Sequence, residues 1–414
     1  MPVKDVRQMH TQKTDATYDA IIIGAGPAGS TAAILLAQAG WSVALVEQTP
    51  FPRRKVCGEC IAATNLALLD SLGIGLQFDA MAGPELRSIG VFAREKMLIG
   101  DMPQFDEPSH RWGRALGREH LDTLLLQRAA TVGVHIWQPW QVKHVTHSHD
   151  QQKICHLVER ATAAKASLSA PLLIAANGSW ELDPLIERRE HKAHKDSDLF
   201  AFKGTYRDAN LTPNLLPVLA FPGGYGGMVI GDHAQLTLAF CIRRDALRAC
   251  RERNVGLSAA LAAHAHVASS CAGVRDALTD ATLAAPWLTV GPIRPGLRSP
   301  WRGNGVFAIG NAAGEAHPIL GEGMSMAIQS AWMLCELLIA NHDTLVAGRG
   351  ADTIGRCYAK KWRRSFTARI RLAALFAHLA MRPRIAAPLL GLLRRWPGIL
   401  TASAILGAKV HRVV

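Results

Sequence analysis

Apolar residues fall into distinct rhythms along the chain. Unbroken apolar runs at Ala20 to Ile23, Leu172 to Ala176 and Val306 to Ile309 predict strands covered on both faces. Helical spacing follows Gly26 as far as Gly40 and recurs from about Met324 to Ile339. Phe200 to Arg207 and Ala234 to Arg243 have the alternation or apolar richness of antiparallel strands, and the alanine-rich stretch Gly256 to Leu283 reads as helix. From Lys360 to Val414 apolar positions (Ile370, Leu372, Leu375, Phe376, Leu379) mix with arginine clusters and are cut by Pro383, Pro388 and Pro397, which predicts several short helices. The fold class expected is α/β: a parallel sheet interleaved with an antiparallel-sheet domain, followed by a helical tail.

Composition narrows this. At 414 residues, 49% hydrophobic and 19% charged, the chain is too apolar for a disordered or fibrous polypeptide. No run of 18 apolar residues exists to span a bilayer, and the polar first twenty residues do not read as a secretory signal. Eight cysteines in a chain of this length fit a reducing cytoplasm better than a disulfide scaffold. Thirteen Lys and Arg follow Asp352 with no acid after it, and they equal the net charge of +13. The body is therefore neutral and the tail cationic, an arrangement that argues for a docking face and against nucleic acid.

The segment Tyr18 to Glu47 carries the clearest chemistry. Gly24, Gly26 and Gly29 follow a buried strand at dinucleotide-fingerprint spacing: a tight turn, a bare backbone for a pyrophosphate, and close helix–strand packing. Ala28 and the small residues after Gly29 continue the helix, whose positive N-terminus faces phosphates. A second strand, Ser42 to Val46, delivers Glu47, 23 residues after Gly24, to ribose hydroxyls. The choice of FAD over NAD comes from Gly305 to Leu338. Gly310-Asn311 ends a strand and offers a polar side chain to a ribityl chain. The loop Pro318 to Gly323 opens onto a helix beginning at Met324, with Gly321 and Gly323 keeping its N-terminus free to stabilise a reduced isoalloxazine.

These motifs, with Gly117, Arg118, Leu121 and Asp122 between them, resemble the FAD-binding set of the p-hydroxybenzoate-hydroxylase-type flavoprotein superfamily. That superfamily includes aromatic monooxygenases, flavin-dependent halogenases and geranylgeranyl reductases. The resemblance implies a Rossmann-like FAD-binding domain and a contact from Arg118 to the FAD. Two departures stand out. Asn311 replaces the usual Asp, and the middle Asp-Gly motif reads Ala176-Asn177-Gly178-Ser179-Trp180, so nicotinamide specificity does not carry over. Gly314, Glu322 and the run Arg54 to Glu59 resemble the geranylgeranyl-reductase-like branch, while the halogenase signature WxWxIP is absent. Arg54 is accordingly placed with the cofactor.

Cys57, His317 and Tyr225 are the candidate catalytic residues. By resemblance Cys57 lies near the isoalloxazine; packing of a tight loop with Cys60, or a disulfide to it, are the alternatives. His317, two residues after Glu315 and just before Pro318, suits proton chemistry beside the ring or a backbone bond in the turn. Tyr225 sits in Phe221 to Gly227, read as a loop that brings an aromatic residue to the substrate side. His144, His147 and His149 read as exposed loop residues, and no metal is expected.

The expected organisation is cofactor domain at 1–85, 113–185 and 296–345, substrate domain at 86–112 and 186–295, and basic tail at 346–414. The expected activity is hydroxylation of an organic substrate through a flavin C4a-hydroperoxide, ahead of alkene reduction on a lipid, then halogenation, with a non-enzymatic flavin-binding docking protein last. NADH or NADPH docks transiently, or a separate reductase supplies electrons. The substrate is open among small, lipid, carrier-bound and polypeptide-bound compounds. The tail caps the substrate domain, rests on an anionic membrane surface, or docks an acidic protein; the location is the cytoplasm, with or without peripheral membrane contact.

Overall fold

The apolar runs around the N-terminal glycine turn pair as one parallel five-stranded sheet. Its order is Val306–Ala308, Leu172–Ala175, Ala20–Ile23, Val43–Val46 and His135–Trp137. In this computed structural model the described residues are 15–178 and 194–382, apart from 149, 151 and 347, together with 391, 395, 398 and 401. Ser179, Trp180, His149 and the three tail prolines lie outside them.

Every residue of Ala20–Ile23, Val43–Val46 and Leu172–Ala175 is buried because both faces of the sheet are covered. On one face lie the helices Pro27–Gln38, Arg118–Thr131 and Gly323–Ile339, packed into the largest apolar core. On the other lies a four-stranded sheet of Asp15–Thr17, Lys165–Ala170, Lys153–Glu159 and Trp140–His147. That second layer corrects the loop reading of the histidines: His144 and His147 are on a strand, where His144 stacks on His156 at 4.3 Å between ring centroids.

The second domain is a seven-stranded sheet, ordered Thr282–Ile293, Leu199–Arg207, Leu236–Arg243, Gly224–Ile230, Leu215–Phe221, Ser88–Ala93 and Lys96–Asp101. One of its pairs, Leu215–Phe221 with Ser88–Ala93, is parallel and the rest are antiparallel. Helices Arg244–Arg253, Ala259–Ser270 and Ala272–Leu278 back it. Three local expectations change. The alanine-rich helix ends at Leu278, and Thr282–Ile293 is a twelve-residue edge strand whose β-branched and aromatic residues outweigh the preceding alanines. The glycines of Phe221 to Gly227 form a hairpin turned at Pro222-Gly223, where Gly223 takes φ +77, so Tyr225 stands on a strand. The tail begins as one thirty-residue helix, Ala351–Ala380, since no proline interrupts it before residue 383.

The domains are joined by a buried polar knot. Glu59, held at φ +58, accepts from the Lys203 ammonium, from Thr237 Oγ1 at 2.7 Å and from the Arg118 N–H at 3.1 Å. Lys203 is 1% exposed and Glu59 4%. Removing one member strands a charge, so Lys203→Met is expected to cost about 3–5 kcal/mol of stability. Lys203→Met with Glu59→Gln should recover part of that loss, and denaturant midpoints of the wild type, both single variants and the double variant check it.

Candidate active site

A cavity of about 520 Å³ runs from the N-terminal glycine turn to the underside of the antiparallel sheet. Its polar end is built by the parallel-sheet loops. Gly24 takes φ +103, and a Cβ there would lie 2.5 Å from the Ala176 carbonyl oxygen; a Cβ at Gly29 would lie 1.8 Å from the Gly24 carbonyl oxygen. These two glycines let the turn close. Gly26 has only the Arg118 guanidinium nearby, 3.7 Å from its Cβ position, and shows bare backbone to the cavity. The buried Glu47 carboxylate accepts from the Ala25 N–H (3.0 Å), the Thr49 N–H (2.9 Å) and Arg53 Nη1 (2.8 Å), so it holds the turn while lining the space.

Arg118 is fixed by Asp122 one helical turn later, with Nε and Nη2 each donating at 2.7 Å to a carboxylate oxygen. Arg53, near the same Asp122 at 3.7 Å, stacks on Phe51 at 4.5 Å and lines the cavity. Arg54 departs from expectation. Its side chain leaves on the opposite side and donates to the Pro286 carbonyl (3.1 Å) and Thr205 Oγ1 (3.4 Å), outside the cavity wall. Arg53 occupies the place foreseen for its neighbour; spacing along an irregular loop gives no signal for which of two adjacent arginines turns inward.

From the far end of the chain, Gly310, Asn311, Pro318, Gly321, Gly323 and Met324 reach the same cavity, as do Ala28 and Cys57. A Cβ on Gly323 would meet nothing within 4 Å, which leaves the helix N-terminus approachable. Asn177 Oδ1 is buried at the wall with no hydrogen-bond partner among the described residues. Bare backbone at Gly26 and Gly323, an unsatisfied amide oxygen and a helix N-terminus between them are what an FAD molecule spanning this wall would meet; the residues fit it.

Beyond that wall the cavity turns apolar, lined by Ile89, Val91, Leu216, Val218, Val290 and Ile293. Phe376, Leu379 and Ala380 of the C-terminal helix close it, and the Gly223 N–H donates to the Met381 carbonyl at 3.0 Å. Tyr225 enters from the sheet and shares a 2.9 Å hydrogen bond with His317 Nδ1. Burial drives the Tyr225 hydroxyl well above its ordinary range, with Cys241 and Glu315 adding to the rise. Burial and the neighbouring His378 hold His317 down to about 4. The Cys57 thiol is raised, by desolvation first, with Arg118 opposing and Glu59 reinforcing. Cys57 and Cys60 are not joined by a disulfide. Sequence reading singled out Tyr225 and His317 separately; their pairing, and the Glu59–Lys203 knot, depend on contacts across 92 and 144 residues.

The FAD-binding domain family matches residues 17–183. That stretch holds the glycine turn, Glu47 and Arg118, so the cofactor end of the cavity is an FAD-binding domain of that family. The chain is 32% identical over 180 residues to the menaquinone reductase of Mycobacterium tuberculosis, covering 43% of this chain and 42% of that protein. The match thus spans under half the length of that relative. The tryptophan 2-halogenase of Chondromyces crocatus is 23% identical over 354 residues, 82% of this chain and 64% of that one. A solved flavin-dependent brominase shares the fold, with TM-score 0.74 at 18% identity over 95% of this chain and 94% of that chain.

Two outcomes follow for an FAD site built this way. Gly26→Ala should fold normally as apoprotein, yet lose about tenfold to 100-fold in FAD affinity from roughly 1–3 kcal/mol of overpacking. Fluorescence titration of apoprotein with FAD reads the affinity, and apoprotein melting reads the fold. For His317 the unfolded state binds the proton more tightly, so its contribution to stability is full above pH 6.5 and fades as pH falls toward 4. His317→Gln should flatten the slope of denaturation midpoint against pH in that window.

Proposed function

We propose that this FAD-dependent oxidoreductase reduces a carbon–carbon double bond of a bulky, largely apolar substrate held between the flavin and the C-terminal helix. The observation that carries this reading is the proton-bearing pair at the apolar end: Tyr225 lines the cavity and shares a 2.9 Å hydrogen bond with His317. When bound, FAD supplies the hydride. The chain supplies the proton, and burial keeps both the Tyr225 hydroxyl and the Cys57 thiol in their protonated forms. His317, hydrogen-bonded to Tyr225 and in ring contact with the exposed His378 at 5.9 Å, leads from the chamber to solvent for replacement of that proton. The 32% identity to a menaquinone reductase supports the same reading.

A second reading, oxygen-dependent hydroxylation or halogenation, is supported by the names of the tryptophan 2-halogenase and the brominase that this chain resembles over most of its length. The tail participates in either case. Its helix presents Arg356, Lys360, Arg363, Arg364 and Arg371 outward while Phe376 and Leu379 close the chamber, which suits delivery of an apolar substrate from an anionic membrane or an acidic carrier protein. Among the described residues no helix is long and apolar enough to cross a membrane.

Photoreduced holoenzyme mixed without oxygen with a panel of polyprenyl quinones, carotenoids and carrier-bound enoyl chains tests the proposal. Reoxidation of the flavin with a product two hydrogens heavier is the expected result. Tyr225→Phe should slow that step by about 10²–10⁴ while leaving FAD bound. A product carrying oxygen-18 from labelled O2, formed only aerobically, establishes the second reading instead.

A further inference from the structure

The turn joining the strands Gly224–Ile230 and Leu236–Arg243 is an unusual one. His233 and Ala234, neither a glycine, take φ +52 and +54 in succession. Consecutive left-handed residues with side chains are costly and persist where surrounding contacts impose them. Here the turn aims Asp232 and His233 at the first turn of the helix Arg118–Thr131, where His120 waits. The Gly117 N–H holds Asp232 Oδ1 at 2.7 Å, which leaves Oδ2 facing His120 Nε2 at 3.2 Å. The two imidazole rings meet at 5.7 Å between centroids. One ligand atom from each of the three side chains lies within 4.8 Å of the others.

We infer that His120, Asp232 and His233 form a binding site for a divalent transition-metal ion such as Zn2+ or Co2+. Two imidazole nitrogens and one carboxylate oxygen are a donor set for borderline ions and a poor one for Mg2+ or Ca2+, which prefer oxygen. Tetrahedral coordination at about 2.0–2.2 Å places donors roughly 3.4 Å apart, close to the present Asp232–His120 contact. Rotation of the exposed His233 ring brings the third ligand in, and solvent completes the sphere. Glu119, whose carboxyl carbon lies 3.3 Å from the Gly117 Cβ position, adds negative charge beside the site. The ion ties the cofactor domain to the substrate sheet along the seam that Glu59 already crosses. It lies apart from the flavin cavity, since none of the three ligands is among the residues lining that cavity, and the inference is independent of the reaction proposed above.

The test uses full-length holoenzyme stripped with EDTA and then titrated with Co2+. Wild type should take up one more equivalent than the variants His120→Gln and His233→Gly, with visible d–d absorption that they lack. Their affinity at this site should drop by more than the roughly 10–100-fold that loss of an outer-shell partner costs. His233→Gly relieves the left-handed backbone, so it removes the ligand without endangering the fold, and unchanged FAD content verifies that. Zn2+ should raise the thermal midpoint of the wild type and leave that of His233→Gly unmoved. Equal Co2+ uptake by wild type and both variants, or no uptake by the wild type, overturns the site.

Discussion

One buried carboxylate sets the relation between the two halves of this molecule. Glu59 emerges from the loop behind the ribose-side wall and finds its partners on both sides of the domain boundary: the helix-start N–H of Arg118 on the cofactor side, Lys203 and Thr237 on the sheet. A charge this deep is tolerated only when its counter-charge is equally deep and its remaining lone pairs are filled. The consequence is positional. The sheet that roofs the flavin end cannot slide or tilt without breaking a bond to the same carboxylate that braces Arg118, so the reach of Arg118 into the cofactor cradle and the height of the roof are set together.

The cavity has two chemical halves because two kinds of element wall it. Loops at the ends of parallel strands bring backbone amides, carboxylates and guanidinium groups. The face of an antiparallel sheet and the side of a long helix bring aliphatic carbon. Charge at the loop end is arranged in alternation, Glu47 with Arg53 and Arg118 with Asp122, so each cation that could meet a phosphate is already oriented by an anion behind it. At the apolar end Tyr225 and His317 are kept uncharged by desolvation. Groups held in their protonated or neutral forms and an aliphatic wall thus share one end of the cavity.

The cofactor half of this design is legible in the amino-acid order because local physics dictates it. Gly24 is demanded by its φ of +103 and Gly29 by a 1.8 Å approach to the Gly24 carbonyl oxygen within the same turn, and an unbroken apolar run has few alternatives to a doubly covered strand. The substrate half is less legible. Thr282–Ile293 pairs with Leu199–Arg207 through three register shifts, and its mixture of exposed and half-buried positions lacks the alternation that announces a strand. Whether Arg53 or Arg54 faces inward is decided by an irregular loop, and the hydrogen bond between Tyr225 and His317 by the meeting of two domains. Neither carries a periodic signal. The long C-terminal helix was obscured by prolines that lie beyond its end.

The parallel sheet is completed by an edge strand, Val306–Ala308, and covered by the helix Gly323–Ile339, both far later in the polypeptide than the glycine turn. During synthesis the glycine turn emerges early, yet nothing can close its far wall until some three hundred further residues have left the ribosome. Meanwhile Ala20–Ile23 and Leu172–Ala175 must be held or shielded as exposed apolar ribbons. Flavin capture therefore waits on a segment made long after the glycine turn, and until then that turn has no opposite wall against which a cofactor could be held.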